Sequence, residues 1–400
     1  MRPLGILFLT LFTSILGLSI LFPVLAPLGR HLGLGETAIG LTSAAYALAQ
    51  LVFAPFWGRT SERWGRRPVL IVGVAGFLLG FVLLLGAVEL GEQRLLTGAP
   101  LVAALFAARL VGGALSSAVL PTAQAYAADV TPPHERTRGM AVIGAAFGLS
   151  VVLGPGIGGL AAHHFGLIAP IVVSIAVGAV NLVLVLRLQE PERRSSDVRS
   201  PASASLFSRL RPLLLASFVI TTAAVLMEQT IAFLYQDVLA LRPEDTPGVV
   251  GVGLFAYGVA AVLTQGLIVR RVKIAPRTMI LVGMPITALG LLGLSVADGR
   301  ALLIAATALQ GLGQGLVQPG ATSLVSLLAR DDEQGTAAGL GSSAGGLARL
   351  VGPLVGPALY ELDERLPFRV SSALLGLTVV LVLFSVPVSA GVPSAAGRPK

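Results

Sequence analysis

The chain contains no cysteine, which excludes disulfides and thiolate-held metal. Charge is scarce as well: Asp, Glu, Lys and Arg supply 12% of the 400 residues, and lysine occurs only at Lys273 and Lys400. No Gly-x-x-x-x-Gly-Lys-Ser/Thr loop occurs, so nucleotide hydrolysis does not run through this chain. What fills the sequence instead is apolar. Hydrophobic residues make up 54% and the mean hydropathy is +0.86. A soluble chain of this size would leave too much apolar surface in water, so the class is a polytopic membrane protein.

Ten runs carry no charged residue: 3–29, 37–58, 68–88, 110–128, 139–162, 165–186, 246–269, 278–297, 301–329 and 370–397. Two more carry one each, 212–236 with Glu228 and 335–360 with Arg349, and the run at 110 extends back through Arg109 to about residue 100. Each reaches or nearly reaches the roughly 20 residues that cross hydrocarbon at about 1.5 Å per residue. Twelve spans are expected. The first run, 27 residues long, exceeds a signal-peptide core and reads as an uncleaved span.

A net charge of +8 would suggest nucleic acid in a soluble protein, but here its distribution matters more. With the N-terminus inside, twenty of the 28 Lys and Arg fall on the inner side and six on the outer. Arg109 and Arg349 lie within spans. That asymmetry puts both termini in the cytoplasm of a cell whose inner (plasma) membrane holds the chain.

The hydrophilic segment 189–211, rich in Ser, Pro and Arg, divides the spans into two sets of six. The expected layout is an N-terminal bundle over 1–188, a cytoplasmic central loop over 189–211, a C-terminal bundle over 212–390 and a tail over 391–400. A shift of 198 residues aligns Pro121 with Pro319, Glu135 with Glu333, Gly148 with Gly346, Gly154-Pro155 with Gly352-Pro353, and Gly158 with Gly356. The fold expected is therefore all-α, two pseudo-symmetric six-helix bundles with a substrate site at the midplane between them.

Three motifs sharpen this. Residues 58–67 read Gly-Arg-Thr-Ser-Glu-Arg-Trp-Gly-Arg-Arg, a basic hairpin between the second and third spans. Arg109 and Gly113 give Arg-x-x-x-Gly in the fourth. The fifth carries Gly144, Gly148, Gly154, Pro155, Gly158 and Gly159. With these motifs the chain resembles the major facilitator superfamily over essentially its whole length, and within it the twelve-span drug:proton antiporters. The first motif departs from that pattern at Thr60, Ser61 and Glu62, which stand for Leu, Ala and Asp.

The resemblance implies a cytoplasmic gate from Gly58, Glu62, Arg63, Gly65, Arg66 and Arg67, with Arg66 paired to Asp129 and Glu62 set against the start of the eleventh span. It also implies export rather than import through the kinked fifth span, a monomer, and a proton gradient in place of a cofactor. Independently, Pro155 deletes a backbone donor, while Gly144 and Gly148, four apart, let a neighbouring helix come close.

Charges within spans point at mechanism, because each costs roughly 2.5–3.5 kcal/mol or more at a helix centre. Arg109 and Arg349 fall near the midplane, and Glu228 is the one carboxylate well inside an expected span. Glu228 with Arg109 is the expected proton-coupling pair. Tyr46, Gln50, Gln124, Tyr126, Gln229, Tyr257, Gln310, Gln314 and Gln318, with both arginines, are the expected polar lining of the cavity. The first span has no acid, so the embedded balance of +1 leaves room for neutral or anionic substrates. His163 and His164 read as surface residues, and no metal site is expected. The partners are thus a small-molecule substrate, protons and lipid, and the chain is not an enzyme. A symporter or facilitator importing a metabolite is the alternative transport reading, and a non-transporting receptor the alternative outside transport.

Overall fold

The computed structural model describes residues 3–132, 136–191, 204–269, 271–272, 274–330 and 333–385. Glu135, most of the central loop and the tail from 391 lie outside them. Fourteen α-helices are present among the described residues. The first eight are α1 (Pro3–Ser19), α2 (Leu25–His31), α3 (Glu36–Trp64), α4 (Arg66–Glu92), α5 (Gly98–Ser116), α6 (Val119–Val130), α7 (Arg136–Phe165) and α8 (Ala169–Leu186). The other six are α9 (Ala204–Val238), α10 (Thr246–Leu263, continued by a π turn Thr264–Val269), α11 (Pro276–Leu294), α12 (Arg300–Leu328), α13 (Gln334–Leu362) and α14 (Leu366–Ser385).

Among the described residues, ten helical stretches are long and apolar enough to cross a membrane, with α5 and α6 counting as one. Two of the expected twelve spans fall short of that measure for identifiable reasons. Only 17 residues of α1 precede the turn at 20–24. The 29 residues of α13 are diluted by glycine, serine and Arg349.

Prolines place the breaks. Pro23 has no N–H to give the carbonyl of Ser19, four residues back, and α1 ends at Ser19. Pro121 likewise leaves Ser117 without its donor, and α5 passes into α6 across Ser117 and Ala118. Ala204 starts α9 eight residues before the expected boundary at 212, inside the segment assigned to the loop. Leu206 and Leu210, one helical turn apart, are fully buried there, and that apolar stripe carries the helix past Pro212.

Helices α1–α8 pack with one another and α9–α14 with one another, and two long seams join the sets, α7 on α10 and α3 on α13. Small residues make each packing possible. Gly154 and Gly158 of α7 seat on Ser19 and Ile20, at the break after α1; Gly352 and Gly356 of α13 seat on Val225 and Leu226 of α9. The shift of 198 residues thus relates two equivalent contacts. The other face of each helix makes a seam: Gly159 meets Pro247 and Gly251 of α10, and Pro353 and Pro357 meet Gly40 of α3.

Candidate functional site

The helices alternate between two ends of the molecule. The proximal end carries Pro3 and Ser385; the distal end carries the connections at 32–35, 93–97, 239–245 and 363–365. The two sets of helices close on each other distally. Gly159 and Gly251 lie backbone to backbone, and Gly258 is against Val152. The α3–α13 seam reaches Leu51 and Gly346. Beyond those points, a β-carbon at Gly144, Gly148, Gly266, Gly335, Gly339, Gly341 or Gly345 would meet nothing within 4 Å. The sets therefore diverge toward the proximal end. This corrects the expectation for Gly144 and Gly148, which face open space because they lie on the splayed part of α7.

Two polar clusters sit part-way along the helices. In the first set, the Arg109 guanidinium lies 4.5 Å above the Tyr46 ring, a cation–π geometry. Gly113, one turn along α5, admits this: a β-carbon there would stand 2.8 Å from the carbonyl of Tyr46. The Tyr46 hydroxyl is 3.0 Å from Ser116 Oγ and accepts from Gln50 Nε2 at 3.0 Å. Arg109 is only 9% exposed and its Nε has no protein partner, so the contact its charge makes is with an aromatic face, not a carboxylate. The recess beside it is lined by Tyr46, Phe77, Phe81, Arg109 and Ser116, hence lies between α3, α4 and α5.

In the second set, Glu228 of α9, Tyr257 of α10 and Arg349 of α13 form an electrostatic cluster, Arg349 acting on Glu228 and both acting on Tyr257. Tyr257 is buried, Glu228 and Gln229 half-buried, and Arg349 exposed half-way along its helix. The cation that acts on Glu228 is thus Arg349; Arg109 meets Tyr46 in the other set of helices. The two expected coupling residues are not brought together.

Other expected lining residues separate by helical geometry. Gln124 is exposed, but Tyr126, about 200° further round α6, is buried and donates to the carbonyl of Gln189 at 2.8 Å. Tyr126 therefore belongs to the interior of the first set. The spacing of four in Gln310, Gln314 and Gln318 advances about 40° per step, so the stripe winds round α12. Gln310 is fully buried against Gly290 of α11, Gln314 is half-buried and Gln318 exposed. Only the last two retain open surface.

At the proximal end, Arg66 Nε lies 2.9 Å from Asp129 Oδ2, and its Nη1 donates to Ser61 Oγ at 2.7 Å. Glu62 and Arg63 are exposed at the end of α3. Gly58 has Pro121 at 3.9 Å. Gly65 has φ +105° and ψ 159°, a region reserved almost wholly for glycine. Its missing side chain lets the Glu190 carboxylate reach the first N–H groups of α4, accepting from Arg66 at 2.5 Å and from Arg67 at 2.9 Å. An anion at a helix N-terminus is favoured by the helix dipole. The Arg67 side chain donates to the carbonyl of Leu186 at 2.9 Å. Glu190 was not anticipated from sequence, though it follows the last apolar run of the first half.

Known proteins carry the same pattern. The chain is 27% identical over 391 residues to "Multidrug resistance protein 2" of Bacillus subtilis, covering 94% of each. It is 25% identical over 399 residues to "Quinolone resistance protein NorA" of Staphylococcus aureus, covering 95% of this chain and 96% of that one. Among solved structures, a D-xylose-proton symporter superposes with a TM-score of 0.78 at 14% identity, over 96% of this chain and 98% of that one. The human organic anion transporter TETRAN gives 0.69 at 23%, over 95% and 99%. Both are similar in fold. Residues 7–296 and 244–399 match the description of one family, Major Facilitator Superfamily. The chain belongs to the major facilitator superfamily, a family of membrane transporters.

Proposed function

We propose that this protein exports small organic molecules in exchange for protons. It does so through twelve spans arranged as two six-span bundles that rock about a central site, with both termini cytoplasmic. In this reading the proximal end is cytoplasmic and the structure is the inward-open form. The bent pair α1–α2 and the Gly-rich α13 supply the two spans that simple hydropathy misses, and each packs along its neighbours as a full span does. The drug-resistance names of the relatives support export of drug-like compounds.

One observation carries the proton assignment. Glu228, about two-thirds of the way along α9, has a cation and a phenol from two other helices as its electrostatic partners, Arg349 and Tyr257. A carboxyl embedded in a span beside a cation from another helix is placed to exchange a proton as substrate arrives. Arg109 on Tyr46 is the companion cation across the site, and Gln50, Gln124, Gln229, Gln314 and Gln318 are the polar groups left to meet substrate.

The test is reconstitution. In proteoliposomes under an imposed pH gradient, the wild type should concentrate members of a panel of cationic, neutral and anionic dyes. Glu228→Gln should lose that concentrating ability while still exchanging dye for dye without a gradient. A Glu228→Gln protein that still concentrates dye on the pH gradient refutes the assignment. Everted membrane vesicles fix the direction: accumulation inside them is export.

A further inference from the structure

The distal closure is pinned by a cluster of charges that the motifs do not cover. Arg30, the penultimate residue of α2, reaches across to the end of α9, its Nη1 donating to Asp237 Oδ1 at 2.5 Å and its Nη2 to Oδ2 at 2.8 Å. This two-pronged pairing is the strong form of an arginine–carboxylate contact. The flat face of the same guanidinium lies 4.8 Å from the Phe233 ring. Nearby, the N–H of Thr37 in α3 donates to Glu361 Oε1 of α13 at 2.9 Å, a second polar link between the two sets of helices.

Each charge in the bidentate pair also has a partner in its own set. Arg30 donates to Glu36 Oε1 through Nε at 3.0 Å and Nη2 at 2.5 Å. Asp237 Oδ2 accepts from the Tyr360 hydroxyl at 2.6 Å. When the distal ends part, Arg30 keeps Glu36 and Asp237 keeps Tyr360. Separation breaks only the crossing bonds and strands neither charge, which is what a contact made and broken in every cycle requires.

We propose that Arg30 and Asp237 form the outer gate latch of this transporter, with Glu36 and Tyr360 as the resting partners that let it open. The proposal rests on the alternating-access reading above. Glu36 competes with Asp237 for Arg30, so the two carboxylates act in opposite senses. Removing the Asp237 charge favours the outward-open form; removing that of Glu36 favours the closed one.

The experiment uses the absence of native cysteine, which lets spin-label pairs be introduced directly. One pair, Gln93→Cys with Arg242→Cys, spans the distal end; another, Arg187→Cys with Leu327→Cys, spans the proximal end. Distance distributions are collected in lipid nanodiscs, with and without a transported dye and across pH. Asp237→Asn and Arg30→Gln should each raise the ratio of distally open to distally closed molecules about tenfold, the scale of losing charge-assisted bonds in a half-exposed pair. Glu36→Gln should lower that ratio, and the exchange Arg30→Asp with Asp237→Arg should return it toward wild type. Measurements are confined to the monodisperse fraction, and Tyr360→Phe, which removes one hydroxyl, serves as the mild variant if the charge changes impair folding; it should shift the ratio measurably. Wild-type distances at the distal pair in Asp237→Asn and Arg30→Gln overturn the latch, as does an unshifted Tyr360→Phe where it alone folds. If the wild type itself shows a single, invariant distance at both ends under every condition, the alternating-access reading fails instead.

Discussion

Replacing Gly158 by alanine puts a β-carbon 2.9 Å from the carbonyl carbon of Ile20 and closer still to its oxygen. That carbonyl belongs to the turn after α1, and no side-chain rotation relieves the clash; α7 or the first span must move. Overpacking of this kind costs about 1–3 kcal/mol. Alanine's better helix propensity returns up to about 1 kcal/mol of that. At the repeat-related position, Gly356, the same β-carbon would stand 3.4 Å from Thr230 Cγ2 and 3.5 Å from Leu226, which is ordinary contact. There only the propensity gain remains. Gly158→Ala should therefore lose about 1–2 kcal/mol, while Gly356→Ala should be neutral or slightly stabilised. The assay is the fraction of monodisperse protein surviving a temperature series in detergent, read by size-exclusion chromatography. If Gly356→Ala loses as much as Gly158→Ala, the packing argument is wrong.

Three further outcomes follow from the proximal end and the hairpin. Gly65→Ala should cost about 1–3 kcal/mol, the range for a residue forced into a glycine-only conformation, and it also displaces Glu190; unchanged thermal survival would count against it. Asp129→Asn should reduce transport while leaving membrane insertion intact, and unaltered dye transport removes the Arg66–Asp129 contact from the cytoplasmic gate that the resemblance implies. The Glu333 carboxylate accepts the backbone N–H of Arg330 at 3.0 Å and a hydrogen bond from the Arg209 side chain, which hold it below the ordinary carboxylate range. A depressed folded value stabilises above the unfolded one and is lost as pH falls through the folded one. Glu333→Gln should thus melt lower than wild type at pH 7, with the gap closing below about pH 4. A gap of equal size at both pH values would contradict the assignment.

Much of the architecture is legible because lipid allows few solutions. Charge-free runs gave the helical class, and the offset of 198 residues surfaces as Gly154 and Gly158 on the first span and Gly352 and Gly356 on α9. What sequence could not supply was which face each residue takes and which distant groups meet. Tyr126 looked like a cavity residue beside Gln124, yet two residues along a helix point nearly opposite ways. The glutamine stripe ignored a drift of about 40° per step. Sequence offers two midplane arginines, Arg109 and Arg349, for one embedded carboxylate, and only packing shows that Arg349 is the one that stands among the same three helices as Glu228. The pairing of Arg30 with Asp237 joins residues 207 apart in sequence, and its one sequence hint is that basic residues are few on the outer side.

The two neighbouring glycines at 158 and 159 face different masters. Gly158 leans on the turn after α1, within its own set of helices, whereas Gly159 leans on Pro247 and Gly251 of α10, in the other set. Under the rocking motion proposed above, helix α7 would be a fulcrum, fixed along one edge and rolling along the other. Damage at one residue should be felt as loss of folding, and damage at the next as a bias in the rocking itself. Stability and switching should then be genetically separable within a single peptide bond.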